Sequence, residues 1–112
     1  MSFYTQVTET VQVDDENTIT LKAPTYGVVQ DIQSKSMAVT FGQDGKGAAD
    51  LDITKMERMT IHACIVSWDG PGFEGRPVTP ENIDALPSYV IESIKPTVDR
   101  LTSPMKNKGK KS

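Results

Sequence analysis

The hydrophobic period of the sequence changes at Thr25, and this change limits the folds open to the chain. Before Thr25, apolar and polar residues alternate within 5–13 and 18–23, the period of two expected of half-buried strands; the apolar residues are Val7, Val11, Val13, Ile19, Leu21 and Ala23. The acidic segment 14–17 separates the two runs and has the composition of a turn. We therefore predict an antiparallel β-hairpin, whose apolar face must cover another part of the fold or a partner.

After Thr25 the apolar residues fall at helical spacing. Thr25 is the expected N-cap of a first helix that carries Val28, Val29, Ile32 and Val39. The glycine-rich segment 42–47 predicts a mobile turn. A second helix is expected to begin near Asp50 or Asp52 and to end at Trp68, with one apolar stripe: Ile53, Met56, Thr60, Ile61, Cys64, Ile65 and Trp68.

Glycine and proline divide the remaining sequence. The segment 69–77 holds three glycines and two prolines and predicts a loop. Thr79 and Pro80 then predict the start of a short helix, with Thr79 as its N-cap and Pro80 as its first residue. Ser88 is the expected cap of a last helix, which Pro96 should kink or divide after Ile94 because proline lacks a backbone donor; the apolar residues of this helix are Val90, Ile91, Ile94, Val98 and Leu101.

These elements predict an α+β fold. We expect an N-terminal β-hairpin followed by a small bundle of three to four helices, in a single domain over 1–102. The second and last helices carry the strongest apolar faces, so we expect them to pack against each other. Residues 103–112 have no apolar period and are predicted to form a disordered basic tail.

Charge and composition exclude several classes of protein. The formal net charge is −3, and removing the four lysines of the last seven residues changes it to −7, so the body is acidic and a poor surface for nucleic acid. No apolar run approaches the roughly 20 residues of a membrane span, and the N-terminus has no secretory signal pattern. The single cysteine excludes an internal disulfide. We expect a cytoplasmic protein without a membrane partner.

The chain offers few candidates for chemistry. His62 and Cys64 lie two positions apart, so on a helix they point about 200° away from each other and cannot form a nucleophilic pair. Cys64 is expected to be buried and His62 to face outward. The acidic residues lack calcium-loop spacing, and 42–47 lacks the glycine spacing of a phosphate loop. We therefore predict no catalytic, cofactor or metal site, and only Met59, which lies off the apolar stripe, is assigned to partner binding.

The segment 65–87, IVSWDGPGFEGRPVTPENIDALP, resembles the tail assembly chaperones of long-tailed bacteriophages. In that family a strand-rich beginning like residues 19–24, ITLKAP, leads into helices. A helix that ends in Trp-Asp/Glu-Gly precedes a short loop, a Val-Thr-Pro-Glu-Asn helix start and a Leu-Pro exit. The resemblance covers about residues 19–102. Its matching structural residues are Trp68, Gly70, Thr79 and Pro80, which identify a scaffold and not a binding surface.

The resemblance implies a non-enzymatic chaperone that works in the host cytoplasm. Such a protein binds the tape measure protein, keeps it soluble and helps recruit the tail tube protein. The family often has a longer, frameshifted form, and Gly109-Lys110-Lys111 is compatible with a slippery message. The alternative is a small structural tail component, either a tail completion or a tube-associated protein. Self-association as a homo-oligomer is a further expectation, since a hairpin offers an open edge.

Overall fold

The computed structural model describes residues 3–4, 6–41 and 47–102, and for 38–41 and 47–51 it describes the backbone. The fold is α+β, as predicted. In chain order its elements are β1 (Thr8–Gln12), β2 (Thr18–Lys22), α1 (Tyr26–Ser36), β3 (Met37–Phe41), β4 (Gly47–Leu51), α2 (Ile53–Cys64), β5 (Ile65–Asp69), a 3-10 turn (Pro71–Phe73), α3 (Pro80–Asp84) and α4 (Ser88–Leu101). The predicted tail, 103–112, lies outside the described residues.

The predicted N-terminal hairpin is confirmed. β1 and β2 pair antiparallel, with Val11 opposite Ile19. The Asp14 carboxylate organises the turn between them, because it accepts hydrogen bonds from the backbone N–H groups of Glu16 and Asn17, both at 2.9 Å. The Glu16 N–H first, and then the side-chain amide of Asn17, hold the pKa of Asp14 below its ordinary value.

The segment from Ile65 to Trp68 is a strand and not the end of a helix, which corrects the prediction. β5 pairs antiparallel with β2, and this places β2 at the centre of a three-stranded sheet with the order β1-β2-β5. Trp68 lies opposite Ile19, and the register shifts between Thr20 and Leu21. The β-branched and aromatic residues of the segment suit a strand, and β2 supplies a ladder for its backbone groups.

The first predicted helix is also shorter than expected. α1 begins after its N-cap Thr25, whose Oγ1 accepts from the Val28 N–H, and ends at Ser36. Val39 therefore lies in β3, which pairs antiparallel with β4. The Asp52 N–H donates to the Ser36 carbonyl at 2.7 Å and closes the base of this second hairpin. Most of the predicted glycine-rich turn, 42–46, lies outside the described residues.

The remaining helix boundaries follow capping chemistry. Asp52 caps α2, because its carboxylate accepts a hydrogen bond from the Lys55 N–H at 3.0 Å. The sequence offered Asp50 and Asp52 as candidates for this cap. The segment after β5 is a loop with one 3-10 turn, as predicted. Ser88 is not a cap: Pro87 occupies the N-cap position, in extended conformation, and Ser88 is already helical.

Pro96 does not divide the last helix. α4 runs from Ser88 to Leu101 with Pro96 inside it. A proline removes the hydrogen bond to the carbonyl four residues earlier, here that of Glu92. Both residues are exposed, so water can solvate that carbonyl, and this explains why the helix continues.

The core lies between the sheet, α2 and α4. The predicted packing of the second helix against the last is confirmed in part. Ile61 and Cys64 of α2 share one cluster of buried residues with α4, whereas Ile53 is exposed and Ile65 belongs to β5. The cluster consists of Ile19, Leu21, Ile61, Cys64, Ile65, Phe73, Ile83, Val90, Ile94 and Val98. α1 packs on α2 outside this cluster and buries Ile32 and Ser36. Within the described residues, no helix has the length and apolar character needed to cross a membrane.

Candidate partner-binding surfaces

Two cavities flank the crossing of α2 and α4. Both are lined by Glu57 and Ile61 of α2, while the first half of α4 lines one and the second half lines the other. We name the cavity beside the first half of α4 the polar cavity, of about 270 Å³. The cavity beside the second half of α4 is named the apolar cavity, of about 250 Å³. Lys95 of α4 reaches Glu57 of α2 at 3.2 Å, and this ion pair lies at the crossing between them.

Three side chains that line the polar cavity join α2 to α3: Arg58, His62 and Asp84. Asp84 accepts from Arg58 Nη2 at 2.6 Å and is 2.8 Å from His62 Nε2. Arg58 first and His62 second hold the pKa of Asp84 below its ordinary value, and Asp84 raises that of Arg58. Because Asp84 already engages both partners, the trio is best explained as a link between two helices.

His62 therefore differs from its prediction as an outward-facing surface residue. Its side chain is only 20% exposed and contacts Asp84. The sequence contained no signal for this contact, because the two residues are separated by 22 positions and belong to no common motif. The predicted burial of Cys64 is confirmed, and desolvation raises the pKa of its thiol to about 11.

The apolar cavity opens beside the first turn of α2. Its apolar lining comes from Ile53, Met56 and Ile61 of α2 and Val98 of α4, and Thr60 and Thr102 complete it. Ile53 was predicted in the core stripe, but it is 58% exposed at the mouth of the cavity. Charged groups border the apolar surface: Glu57, Lys95 and Asp99. An apolar side chain of a partner could enter here while polar neighbours on the same partner meet the charged border.

Met59, which was assigned to partner binding, lies on the side of α2 that faces α1. It is half-buried, and its sulfur accepts a hydrogen bond from the hydroxyl of the buried Ser36 at 3.9 Å. This contact explains why an apolar residue occurs off the main stripe. A partner contact through Met59 stays a prediction.

The four motif residues shape the loop beside the sheet. Trp68 stacks on Phe73, with ring centroids 4.8 Å apart, and its indole N–H donates to the Arg76 carbonyl at 2.8 Å. Thr79 caps α3 by accepting from the Asn82 N–H at 3.2 Å, and Pro80 is the first helical residue, both as predicted. Gly70 has φ 131°, a region that favours glycine.

The outer edge of the sheet is a further accessible surface. β1 pairs with β2 on one side, and it is the edge strand of the sheet. Arg100 of α4 binds the Glu9 carboxylate, which lowers the pKa of Glu9. This ion pair holds β1 against α4, and among the described residues no strand pairs with the outer edge of β1.

The described residues contain no group of three or more His, Cys, Asp or Glu side chains that could hold a metal ion. Comparison of the chain with protein-family models, curated proteins and solved structures found no match.

Proposed function

We propose that this protein is a tail assembly chaperone of a long-tailed bacteriophage. It binds the tape measure protein in the host cytoplasm, keeps it soluble and helps recruit tail tube subunits. The motif Trp-Asp-Gly, the Thr79-Pro80 helix start and the Leu86-Pro87 exit support this assignment. Trp68 departs from the family pattern, because it lies in β5 and not at the end of a helix.

One structural observation carries the proposal, and it is the apolar cavity between α2 and α4. A long helical protein exposes apolar stripes before it is assembled, and such stripes aggregate. Ile53 and Met56 line the cavity, and Ile53 is 58% exposed and therefore accessible to a partner. Its small size suits one anchoring side chain at a time, and therefore reversible binding, which a chaperone requires.

The test is co-expression with the tape measure protein encoded by the same phage. We expect the chain to keep that protein soluble and to co-elute with it. Ile53→Asp should abolish both effects, because it places a charge at the mouth of the cavity. The variant should still fold, since residue 53 is exposed and an acidic side chain in the first turn of α2 is favourable.

Tyr89→Asp is the matched control. Tyr89 is an exposed large residue of α4 that lines neither of the two cavities. If Ile53→Asp and Tyr89→Asp reduced the solubility of the tape measure protein equally, the binding surface would lie outside the apolar cavity. Failure of the unmodified chain to protect the tape measure protein would refute the proposed function.

Mass spectrometry of purified virions separates this proposal from a structural tail component. A chaperone is absent from finished particles. A tail completion or tube-associated protein would be present in stoichiometric copies, and that result would favour the alternative.

A further inference from the structure

The exposed edge of β1 has a sequence that is complementary to itself. Within β1 and its flanks, odd-numbered residues face the core side of the sheet: Glu9, Val11 and Val13 are half-buried, whereas Thr8, Thr10 and Gln12 are exposed. The Val13 N–H donates to the Asn17 carbonyl at 2.9 Å. Because hydrogen-bonded pairs alternate along an antiparallel ladder, the odd residues bond to β2 and the even residues direct their backbone groups outward.

A second observation supports this alternation. The hydroxyls of Thr10 and Thr20, which lie opposite each other, are 3.0 Å apart. Side chains come this close at non-hydrogen-bonded pairs. The backbone N–H and C=O of Thr10 therefore point away from β2, toward the open edge.

The edge also lacks most of the usual protections against pairing. Edge strands are normally blocked by lysine, proline, a bulge or an inward-pointing charge. β1 contains no lysine, arginine or proline, and its pairing with β2 is continuous. The sheet's register shift lies on the other side of β2. The one charge in β1, on Glu9, already has Arg100 as its partner.

We propose that two copies of this chain pair through β1, antiparallel, about a two-fold axis at Thr10. This register places Thr10 opposite Thr10 of the second copy, Thr8 opposite Gln12, and Glu9 opposite Val11. The outward residues meet as hydrogen-bonded pairs. The two three-stranded sheets become one continuous sheet with both cores on the same face. This inference does not depend on the proposed function.

The flanking residues select this register. Val7 precedes β1 and is 76% exposed, which leaves an apolar side chain in water beside the edge. In the proposed register it lies opposite Val13 of the second copy, a residue that packs against the core. Each copy therefore covers the exposed valine of the other.

The neighbouring registers are worse. Moving the two-fold axis by one residue, which shifts the register by two, places Glu9 opposite Glu9 in one direction, and like charges directly opposite are destabilising. The same shift in the other direction places Val7 opposite Asp15, where its apolar surface finds no partner. Of these three registers, the one about Thr10 avoids both faults.

Sedimentation of the full chain tests the association. A short interface of this kind binds weakly, so we expect the apparent mass to rise toward a dimer between about 10 µM and 1 mM. Thr10→Pro should weaken association about tenfold or more, because proline removes an outward N–H and costs no bond to β2. Thr10→Val loses the same hydroxyl but keeps the N–H, and should associate like the unmodified chain.

Cysteine cross-linking tests the register without relying on the proline variant. Paired Cα atoms about 5.5 Å apart are within disulfide range. With an added thiol oxidant, Thr10→Cys should form a covalent dimer, whereas Gln12→Cys alone should not. A mixture of Thr8→Cys and Gln12→Cys should cross-link. The unmodified chain, whose Cys64 is buried, is the control.

Three results would overturn the proposal. The chain could remain monomeric at the highest concentration. Association could be as strong with Thr10→Pro as with Thr10→Val, which would place the interface elsewhere. Gln12→Cys could cross-link alone as fast as Thr10→Cys, which would exclude the two-fold register.

Discussion

At the scale of single residues, burial explains why Ile65 matters even though it was assigned to the wrong element. Its side chain belongs to the core cluster, and it lies opposite the fully buried Leu21. The neighbouring Val66 is on the opposite face of β5 and is exposed. Adjacent residues of one strand therefore have different energetic roles.

Ile65→Ala should lower the free energy of unfolding by about 2 to 5 kcal/mol, because it removes buried methyl groups and leaves a cavity. Chemical denaturation measures this loss. Val66→Ala is the control, and it should change stability by less than about 0.5 kcal/mol. Equal effects of the two substitutions would contradict the assignment of faces in β5.

Cys64 should be unreactive in the folded protein. Burial raises its thiol pKa to about 11, from an ordinary value of 9.0, so little thiolate forms at neutral pH. A chromogenic disulfide reagent at pH 8 should react slowly with the native chain and rapidly after denaturation. The folded state holds the thiol proton more tightly, so stability should fall as pH rises from 9 to 11. Rapid native modification would contradict the burial of this residue.

At the scale of elements, the loop after β5 is held to the turn of the first hairpin. Asn17 accepts from the Gly72 N–H at 2.8 Å through its side-chain oxygen. A Cβ atom at Gly70 would overlap with the side-chain oxygen of Asn17 and the carbonyl oxygen of Glu16. The close approach of these two turns, together with the positive φ, explains why glycine occupies position 70.

Gly70→Ala should destabilise the protein by about 2 to 4 kcal/mol, since it combines backbone strain with a steric overlap. Gly75→Ala is the matched control: its φ is also positive, at 70°, but a Cβ there meets no atom within 4 Å. We expect a smaller loss at position 75 in thermal or chemical unfolding. A loss at Gly70 no larger than at Gly75 would show that the two turns do not touch.

At the scale of the whole molecule, the described core is complete before residue 103. Each residue of the core cluster lies between Ile19 and Val98, and α4 ends at Leu101, followed by the buried Thr102. The Thr102 hydroxyl donates to the Val98 carbonyl at 2.8 Å and completes the last turn.

A chain ending at Ser103 should therefore keep its stability within about 0.5 kcal/mol of the full chain. It should also keep the tape measure protein soluble, if the apolar cavity is the binding site. Denaturation and co-expression measure the two effects separately. If the truncated chain folds but no longer keeps the tape measure protein soluble, the lysines after residue 103 bind that protein.

Local chemistry was sufficient to predict several features from the sequence alone. The alternation on both sides of an acidic turn predicted the first hairpin. Thr25 and Thr79 were predicted as helix caps, and Asp52 was one of two candidates for the cap of α2. These features depend on contacts within a few residues, so their signals are local. The single cysteine and the apolar stripe of α2 likewise predicted a buried thiol.

Tertiary structure decided the features whose partners lie far apart in the chain. The run Ile65–Trp68 fits a helix or a strand, and only pairing with β2 selects the strand. Because β2 is the central strand of the sheet, its backbone groups need hydrogen-bond partners on both sides, and β5 supplies them on one side. Helix α1 likewise ends at Ser36 because the following residues pair with 47–51. Contact between His62 and Asp84, and the cavities beside the crossing of α2 and α4, arise only when helices separated in sequence pack together.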